Sequence, residues 1–492
     1  MAKVVLYYPE MLTETKVPPY SVLYLASALQ RRGHDIVVID ARFERNPLDK
    51  LNQECADAAV VCISVGMNFQ VVTALRASQV AKQSGCTVVW GGVYATFNHE
   101  ILLKLPFLDC IVLGEGERSI VEITDNGIAN ASNVAYRTNG KVIKQTSAPP
   151  VDINDYSPLP YDLIDMQRYV SKYRGIKLIH FTSSRGCPFN CFFCYSPPFW
   201  NRKWRGLSVK KVLKEIDILA ERTGITGVYF LDDNFLANLR RAKSIAAGLA
   251  QRGIVWACEA RADRLDDSLV RFMKETGCYK VSIGAETGSK RLLDDLNKQI
   301  AVEDIRRAAR LLGRHGLRSE FYFMIGIIGE CGEDLKQTLD LTRYVENTCG
   351  AETLVRVAIP FLGTEYFNRV KGYGFGRVSL RAECSLFWDL NPPYLPWLTA
   401  EQNEKVRNIS VISLIRYLKA NYIRDMGIKN QLVYRMLAPI IEYRWKNRKW
   451  EWPLEYGLYR WLRNLEHQRR IQGEISKIES ETNVRISQIG AA

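Results

Sequence analysis

Two series of short apolar segments alternate with helical patterns along the chain, and this alternation limits the folds that the sequence can adopt. In the first series, helical periodicity over Tyr20–Arg32 and Phe69–Ser84 separates segments that have the length of strands. These strand candidates are Val4–Tyr8, Asp35–Ile39, Ala59–Ser64, Cys86–Trp90 and Cys110–Leu113. Because strands that alternate with helices usually pair in parallel, residues 1–145 are predicted to form a doubly wound α/β domain. Ligands of such a sheet bind beyond the carboxyl ends of its strands.

The second series begins near Lys177 and predicts a partial (β/α)6 barrel over residues 171–365, with its active site at the C-terminal ends of the strands. Its strand candidates are Lys177–Thr182, Gly227–Leu231, Ile254–Glu259, Tyr279–Gly284, Glu320–Met324 and Thr353–Ile359. Between the two series, periodicity is weak from residue 126 and Pro is frequent, so residues 146–170 are predicted to be a linker. Residues 366–492 are rich in Arg, Tyr and Trp and are predicted to form a mostly helical, substrate-binding domain.

The composition excludes some classes of protein. With 47% hydrophobic and 24% charged residues, the chain resembles a soluble globular protein. It has no run of about 18 uncharged apolar residues, so no membrane span is predicted. Its N-terminus enters a strand without the layout of a signal peptide, which favours the cytoplasm. The net charge of +14 is compatible with a solvated helical surface or with a docking face for an acidic substrate, partner or membrane.

Three of the twelve cysteines form a cluster, Cys187, Cys191 and Cys194, directly after the first strand of the second series. Soft thiolates at this spacing suit zinc or an iron–sulfur cluster. Structural zinc prefers four ligands, and the nearest histidine, His180, lies inside the preceding strand. Three thiolates on a cubane leave one iron open, so the iron–sulfur interpretation is favoured. Free thiols or a zinc knuckle remain the alternative.

The C-x3-C-x2-C loop resembles that of the radical S-adenosylmethionine (SAM) superfamily. The resemblance implies a four-iron four-sulfur cluster whose unique iron binds the amino and carboxylate groups of SAM, and a deoxyadenosyl radical that abstracts hydrogen. A Gly326–Glu330 motif after the fifth strand also resembles the family, although Ile328 and Cys331 replace the usual Pro and Thr. By the same resemblance, the SAM-binding candidates are Phe193, Asp232, Glu259 and Glu286.

The strand ends of the first domain resemble the cobalamin-binding module of cobalamin-dependent radical SAM enzymes. The candidates for binding cobalamin are Ser64, Met67, Asn68, Gly91, Gly92, Tyr94, Gly114, Glu115 and Gly116. Physical reasoning alone also permits a nucleotide or flavin, but no G-x-G-x-x-G follows the first strand. The Asp-x-His-x-x-Gly signature is missing as well, so cobalamin is expected to bind without a histidine ligand.

These resemblances imply a cobalamin-dependent (class B) radical SAM C-methyltransferase. SAM would be the methyl source, through methylcobalamin, and also the radical source for an unactivated carbon. The basic, aromatic C-terminal region favours a peptide or protein residue as the substrate. A polyprenoid, a porphyrin-like ring and an antibiotic intermediate are alternatives, as is cyclisation or ring rearrangement without methyl transfer. The expected partners are the substrate and an external electron donor such as flavodoxin or ferredoxin, and no nucleic acid is expected.

Overall fold

The computed structural model describes residues 1–10, 16–66, 70–146, 148–373, 394–421, 428–450, 473 and 476–480, with side chains described outside 418–437. The N-terminal sheet has the order β2-β1-β3-β4-β5-β6-β7, and β1 to β5 are parallel. Its parallel strands are β1 Lys3–Tyr8, β2 Asp35–Asp40, β3 Val60–Ser64, β4 Thr87–Gly91 and β5 Cys110–Val112. Its helices are α1 Tyr20–Gln30, α2 Pro47–Glu54, α3 Val71–Gln83, α4 Val93–Phe97, α5 His99–Leu102 and α6 Glu117–Asn126. The predicted doubly wound sheet is therefore confirmed, and its strand order reverses between β1 and β3.

A hairpin that the weak periodicity after residue 126 had concealed completes this sheet. Strands β6 Val134–Thr138 and β7 Lys141–Gln145 pair antiparallel with each other, and β6 pairs antiparallel with β5. The turn residues Asn139 and Gly140 have φ values of 50° and 75°. Two positive φ values are the signature of a type I′ turn, which matches the twist of a two-residue hairpin.

The predicted linker is a packed layer between the two sheets. It forms short 3-10 segments at Ile153–Tyr156, Tyr161–Leu163 and Met166–Tyr169. Buried side chains of these segments share one hydrophobic core with α1 and the barrel. Because 3-10 turns interrupted by Pro have no regular period, the sequence pattern does not distinguish such a layer from a tether.

The second sheet has the order β16-β15-β14-β13-β12-β9-β8 and curls into a half-barrel, as the sequence predicts. It is parallel except for β8. Its strands are β8 Ser171–Tyr173, β9 Ile176–Phe181, β12 Gly227–Phe230, β13 Val255–Ala260, β14 Cys278–Glu286, β15 Arg318–Ile325 and β16 Glu352–Val357. Strands β10 Ser184–Arg185 and β11 Arg205–Gly206 form a separate two-stranded sheet. Its helices are α7 Ser196–Trp200, α8 Val209–Thr223, α9 Leu239–Ala250, α10 Asp267–Glu275, α11 Lys290–Asp295, α12 Val302–Arg314, α13 Gly332–Cys349 and α14 Glu365–Val370.

The described part of the C-terminal region is helical, as predicted. Helix α15, Ala400–Asn421, packs on β16, and α16, Ile428–Asn447, packs on α15. Within the described residues, no helix has both the length and the apolar character needed to cross a membrane.

Candidate functional site

The cysteine loop connects β9 to the short helix α7. Within it, the backbone N–H of Cys194 donates to the carbonyl oxygen of Cys191 at 3.1 Å, which closes a tight turn. At the start of the loop, Gly186 has a φ of 82°, and a Cβ there would lie 2.3 Å from the carbonyl oxygen of Lys203. Only glycine fits this position. The turn and the glycine together gather the three cysteines at the carboxyl end of the barrel.

Each of the three sulfur atoms faces an N–H donor. The donors are the backbone N–H of Ser196 at 3.4 Å from Cys194 Sγ, Arg261 Nη1 at 3.8 Å from Cys191 Sγ, and Asn234 Nδ2 at 4.0 Å from Cys187 Sγ. Burial raises the pKa of all three thiols. A buried thiol becomes a thiolate ligand when a metal takes the place of its proton, and the N–H donors then stabilise the negative sulfur.

The donor set fits an iron–sulfur cluster better than a single metal ion. Among the residues that the structure describes, no three His, Cys, Asp or Glu side chains converge on a point that one ion could occupy. Zinc–sulfur bonds of about 2.3 Å would hold sulfur atoms within about 4 Å of each other. In a cubane, each thiolate binds a different iron, so the sulfur atoms lie further apart. The triad would therefore hold three irons of a cluster and leave the fourth open.

Two adjacent aspartates follow β12 and have different surroundings. Asp232 is fully buried and accepts hydrogen bonds from the backbone N–H and the hydroxyl of Ser183, both at 2.6 Å, and from the hydroxyl of Ser184 at 2.5 Å. Burial raises its pKa despite these bonds. The carboxylate predicted to contact SAM is thus engaged by the protein, where it ties the end of β12 to the start of the cysteine loop.

Asp233 is less buried than Asp232. Its Oδ2 accepts hydrogen bonds from the backbone N–H of Gly186 at 3.1 Å and from the hydroxyl of Ser196 at 2.8 Å. Both donors lie within two residues of a cluster cysteine. Asp233 also lines a cavity described below, so it is the aspartate placed between the triad and open space.

Two of the remaining SAM candidates lie in the C-terminal half of barrel strands, and the third, Phe193, lies in the cysteine loop. Glu286 ends β14 with a φ of 65°, an uncommon conformation for a residue other than glycine, and Lys298 Nζ donates to its Oε1 at 2.6 Å. The ring of Phe193 lies 5.7 Å from the same ammonium group. Glu259 lies half-buried on β13, where burial, followed by repulsion from Asp233, raises its pKa to about 7.

A cavity separates the carboxyl edge of the N-terminal sheet from the barrel. On the sheet side it is lined by six of the predicted cobalamin-binding residues, Ser64, Gly91, Gly92, Gly114, Glu115 and Gly116. On the barrel side it reaches Thr182, Leu231 and Asp233. The small residues along the sheet edge leave room for a flat ring against the backbone, as cobalamin binding requires.

The three other cobalamin candidates are Tyr94, Met67 and Asn68. Tyr94 is buried in the hydrophobic core behind the sheet and is not among the residues that line the cavity. Met67 and Asn68 lie outside the described residues. Gly92 lines the cavity, but protein contact explains why it is glycine: its φ is 101°, and a Cβ would lie 2.5 Å from the carbonyl oxygen of Val65.

The sequence analysis placed Glu115 on cobalamin, whereas the structure places its carboxylate in ion pairs that join the two domains. Arg185 donates to Glu115 at 2.6 Å and to Glu117 at 2.5 Å, and Arg205 donates to both oxygens of Glu115 at 2.9 and 3.0 Å. The guanidinium of Arg185 also lies 4.3 Å from the ring centroid of Tyr24. Of these residues, Tyr24, Glu115, Glu117 and Arg185 line the cavity.

Several residues near the cysteines escaped the sequence analysis. Arg261 comes two residues after Glu259, and Lys298 lies in a loop between α11 and α12. A charge directly after a barrel strand is a signal that could have indicated Arg261. The local sequence does not predict that Lys298 contacts Glu286 or that Asn234 contacts Cys187.

Comparison with known proteins matches both domains of the chain. The model of the radical SAM superfamily matches residues 181–342, and that of the B12 binding domain matches residues 13–124. An uncharacterized methyltransferase of Pyrococcus horikoshii is 31% identical over 367 residues, which cover 72% of this chain and 78% of the relative. The anaerobic magnesium-protoporphyrin IX monomethyl ester cyclase of Rubrivivax gelatinosus is 28% identical over 346 residues, which cover 66% of this chain and 62% of the cyclase.

Two solved structures share the fold. The cobalamin-dependent SAM radical enzyme OxsB, with aqua-cobalamin and SAM bound, superposes with a TM-score of 0.68 at 16% identity and covers 99% of this chain and 76% of its own. The radical SAM methyltransferase TsrM from Kitasatospora setae, with cobalamin and a four-iron four-sulfur cluster bound, has a TM-score of 0.64 at 18% identity. The superposition covers 76% of this chain and 79% of TsrM.

The half-barrel with its cysteine triad and the preceding sheet define a radical SAM enzyme with an N-terminal cobalamin domain. The chain belongs to the cobalamin-dependent radical SAM methyltransferase family. Its cofactors are a four-iron four-sulfur cluster, SAM and cobalamin.

Proposed function

We propose that this protein transfers a methyl group to an unactivated carbon of its substrate. The observation that carries the proposal is the position of Asp233, which is hydrogen-bonded beside the cysteine triad and also lines the cavity under the N-terminal sheet. The cavity thus extends from the residues that would hold cobalamin to Asp233, beside those that would hold the cluster. A substrate between them would be within reach of both.

When bound, the cluster and SAM supply a hydrogen-abstracting radical, and cobalamin supplies a methyl carrier. The protein's own residues hold and separate these groups. Cys187, Cys191 and Cys194 would ligate the cluster. Glu286, held by Lys298, can accept a hydrogen bond from a ribose hydroxyl, as the family resemblance implies. Burial raises the pKa of Glu259 to about 7, and a positive group bound beside it would favour its charged form.

The proposal is tested with anaerobically reconstituted holoenzyme, SAM, cobalamin and a reductant. Candidate substrates are incubated, and S-adenosylhomocysteine, deoxyadenosine and the methylated product are quantified by mass spectrometry. Methyl transfer predicts equal amounts of S-adenosylhomocysteine and deoxyadenosine, because one SAM molecule is used for each role. Substrate conversion that yields deoxyadenosine without S-adenosylhomocysteine would overturn it.

Cyclisation without methyl transfer is the second candidate function. The resemblance to the Rubrivivax gelatinosus cyclase favours it, because that relative aligns with 66% of this chain. The same measurement separates the two functions, since a cyclase consumes SAM only as the radical source.

The substrate and partners belong to this proposal. A peptide or protein residue is the substrate that the basic C-terminal region favours, although much of that region, including Trp388 and Trp452, lies outside the described residues. The reductive cleavage of SAM needs one electron, which we assign to a flavodoxin or ferredoxin. The proposed site of action is the cytoplasm, where such donors occur.

A further inference from the structure

The concave face of the barrel sheet carries a satisfied ionic network. Lys280 Nζ donates to Glu320 Oε1 at 2.8 Å, and the hydroxyls of Ser282 and Tyr322 donate to Glu320 Oε2 at 2.9 and 2.8 Å. The positive charge of Lys280 is therefore balanced by a carboxylate on the neighbouring strand. Burial of such a pair is tolerable because both partners keep hydrogen bonds.

Arg356 lies on the same face, one strand further along. On β16, Val355 is buried in the hydrophobic core beneath the helices, whereas its alternating neighbours Leu354 and Arg356 face the concave side. The strand register pairs Arg356 with Met324 of β15, four residues beyond Glu320 towards the carboxyl end. The guanidinium thus belongs to the end of the barrel where α/β barrels bind their substrates.

No group among the described residues balances the charge of Arg356. Its Nη1 atom is buried and has no hydrogen-bond partner. Burial lowers the pKa of the guanidinium to about 10, and no neighbouring carboxylate opposes this effect. A desolvated cation without a counter-ion is costly, so a site of this kind is completed by an anionic ligand.

We propose that Arg356 binds an anionic group of the substrate, either a carboxylate or a phosphate. A guanidinium presents two parallel N–H donors that match both groups. This inference rests on the proposed function, because it assumes that a substrate is bound at the barrel. SAM does not supply the anion, since the resemblance places its carboxylate on the cluster iron and the rest of SAM carries no negative charge. Arg356 also does not line the cavity that would hold cobalamin. The substrate is then the remaining source of the anion.

The test measures thermal unfolding of the reconstituted holoenzyme in rising concentrations of inorganic phosphate or of glutarate, at constant ionic strength in chloride. The wild type is expected to show a saturable rise in Tm with at least one of these anions. A larger shift with phosphate would indicate a phosphorylated substrate, and a larger shift with glutarate a carboxylic acid. A rise that does not saturate, or none with either anion, would overturn the proposal.

Three variants locate the effect. Arg356→Met should abolish the anion-dependent shift and leave the Tm without added anion equal to or above that of the wild type, because a desolvated charge is removed. Arg356→Lys keeps the charge without the paired donors and should retain a weaker shift. Arg318→Met removes an exposed arginine of the neighbouring strand β15 and should behave like the wild type. A full anion-dependent shift in Arg356→Met would disprove the assignment.

SAM binding by equilibrium dialysis separates this inference from the proposed function. We expect Arg356→Met to bind SAM with the affinity of the wild type, and a tenfold loss would mean that Arg356 serves the cofactor instead. If the wild type shows the anion shift but forms no S-adenosylhomocysteine with any substrate, methyl transfer fails while the anion site remains.

Discussion

At the scale of single residues, the site depends on groups that burial has placed in unusual electrostatic states. The three cluster cysteines have raised pKa values as thiols, yet each faces an N–H donor suited to a thiolate. Glu259 has a pKa of about 7 because burial and nearby carboxylates disfavour its charge. A bound cation beside such groups would reverse the local preference for the neutral form.

Replacing any cysteine of the triad with Ala should abolish cluster assembly, because two thiolates cannot hold a cubane with one open iron. Iron and sulfide content and brown absorbance after anaerobic reconstitution are the measurements. The matched control is Cys349→Ala, which removes a half-buried cysteine at the end of α13, where its Sγ lies 3.4 Å from Ser319 Oγ. A triad variant with full iron content would refute the ligand assignment.

Glu259→Gln should stabilise the protein at pH 8 but not at pH 4.5. The pKa of Glu259 is raised in the folded state from 4.5 to about 7, so the folded protein loses stability as pH rises through that interval. The variant removes the penalty, worth up to about 3 kcal/mol at about 1.4 kcal/mol per pKa unit.

Urea unfolding of the SAM-free protein at both pH values measures this difference. The exposed Glu333→Gln on α13 is the control and should show no pH-dependent difference from the wild type. A Glu259→Gln variant that gains no stability at pH 8 would show that burial does not penalise this carboxylate.

At the scale of elements, one buried carboxylate holds two strand ends together. Asp232 connects the end of β12 with Ser183 and Ser184, which follow β9, and Arg241 of α9 donates to the carbonyl oxygen of Ser183 at 2.8 Å. The cysteine loop begins at this junction. Its geometry is therefore set in part by the hydrogen bonds that Asp232 accepts from these two serines.

Asp232→Ala should lower the free energy of unfolding by about 3–5 kcal/mol, because it leaves buried donors and the nearby Arg241 without a carboxylate. Chemical denaturation gives the value. The control Asp217→Ala breaks an exposed ion pair with Arg252 and should cost less than about 1 kcal/mol. Equal losses in the two variants would show that the buried network is unimportant.

At the scale of the whole molecule, the two domains are joined through charge as well as through a shared core. Burial raises the pKa of Glu115, but Arg185 and Arg205 lower it by more than burial raises it. The pKa of Glu115 is therefore below its ordinary value of 4.5. The ion pairs therefore stabilise the domain interface above about pH 4.5, and this contribution is lost as pH falls through the lower folded-state pKa.

Arg185→Met should loosen the N-terminal domain from the barrel, because it leaves Glu115 and Glu117 with one guanidinium fewer. We expect calorimetry at pH 7 to resolve two unfolding transitions in the variant where the wild type shows one, and cobalamin affinity to fall at least tenfold. Arg32→Met, which breaks an exposed pair with Asp125 inside the N-terminal domain, is the control. A single, unshifted transition in Arg185→Met would contradict this role.

The sequence by itself determined the two parallel sheets and the position of the cysteine triad. Buried strands, amphipathic helices and glycine turns are encoded over a few neighbouring residues, so local periodicity is enough to predict β1–β5 and the barrel strands to within a few residues. The triad was equally accessible, because its three ligands lie within eight residues of one another.

Only the tertiary structure decided which side chains face one another. It packed the linker between the sheets, placed Asp233 on the cavity, paired Glu115 with Arg185, and gave Arg356 no counter-ion among the described residues. The physical reason is that the two partners of an ion pair can be tens of residues apart in the sequence. Strand order and register decide which side chains come into contact, and a local sequence pattern does not contain that information.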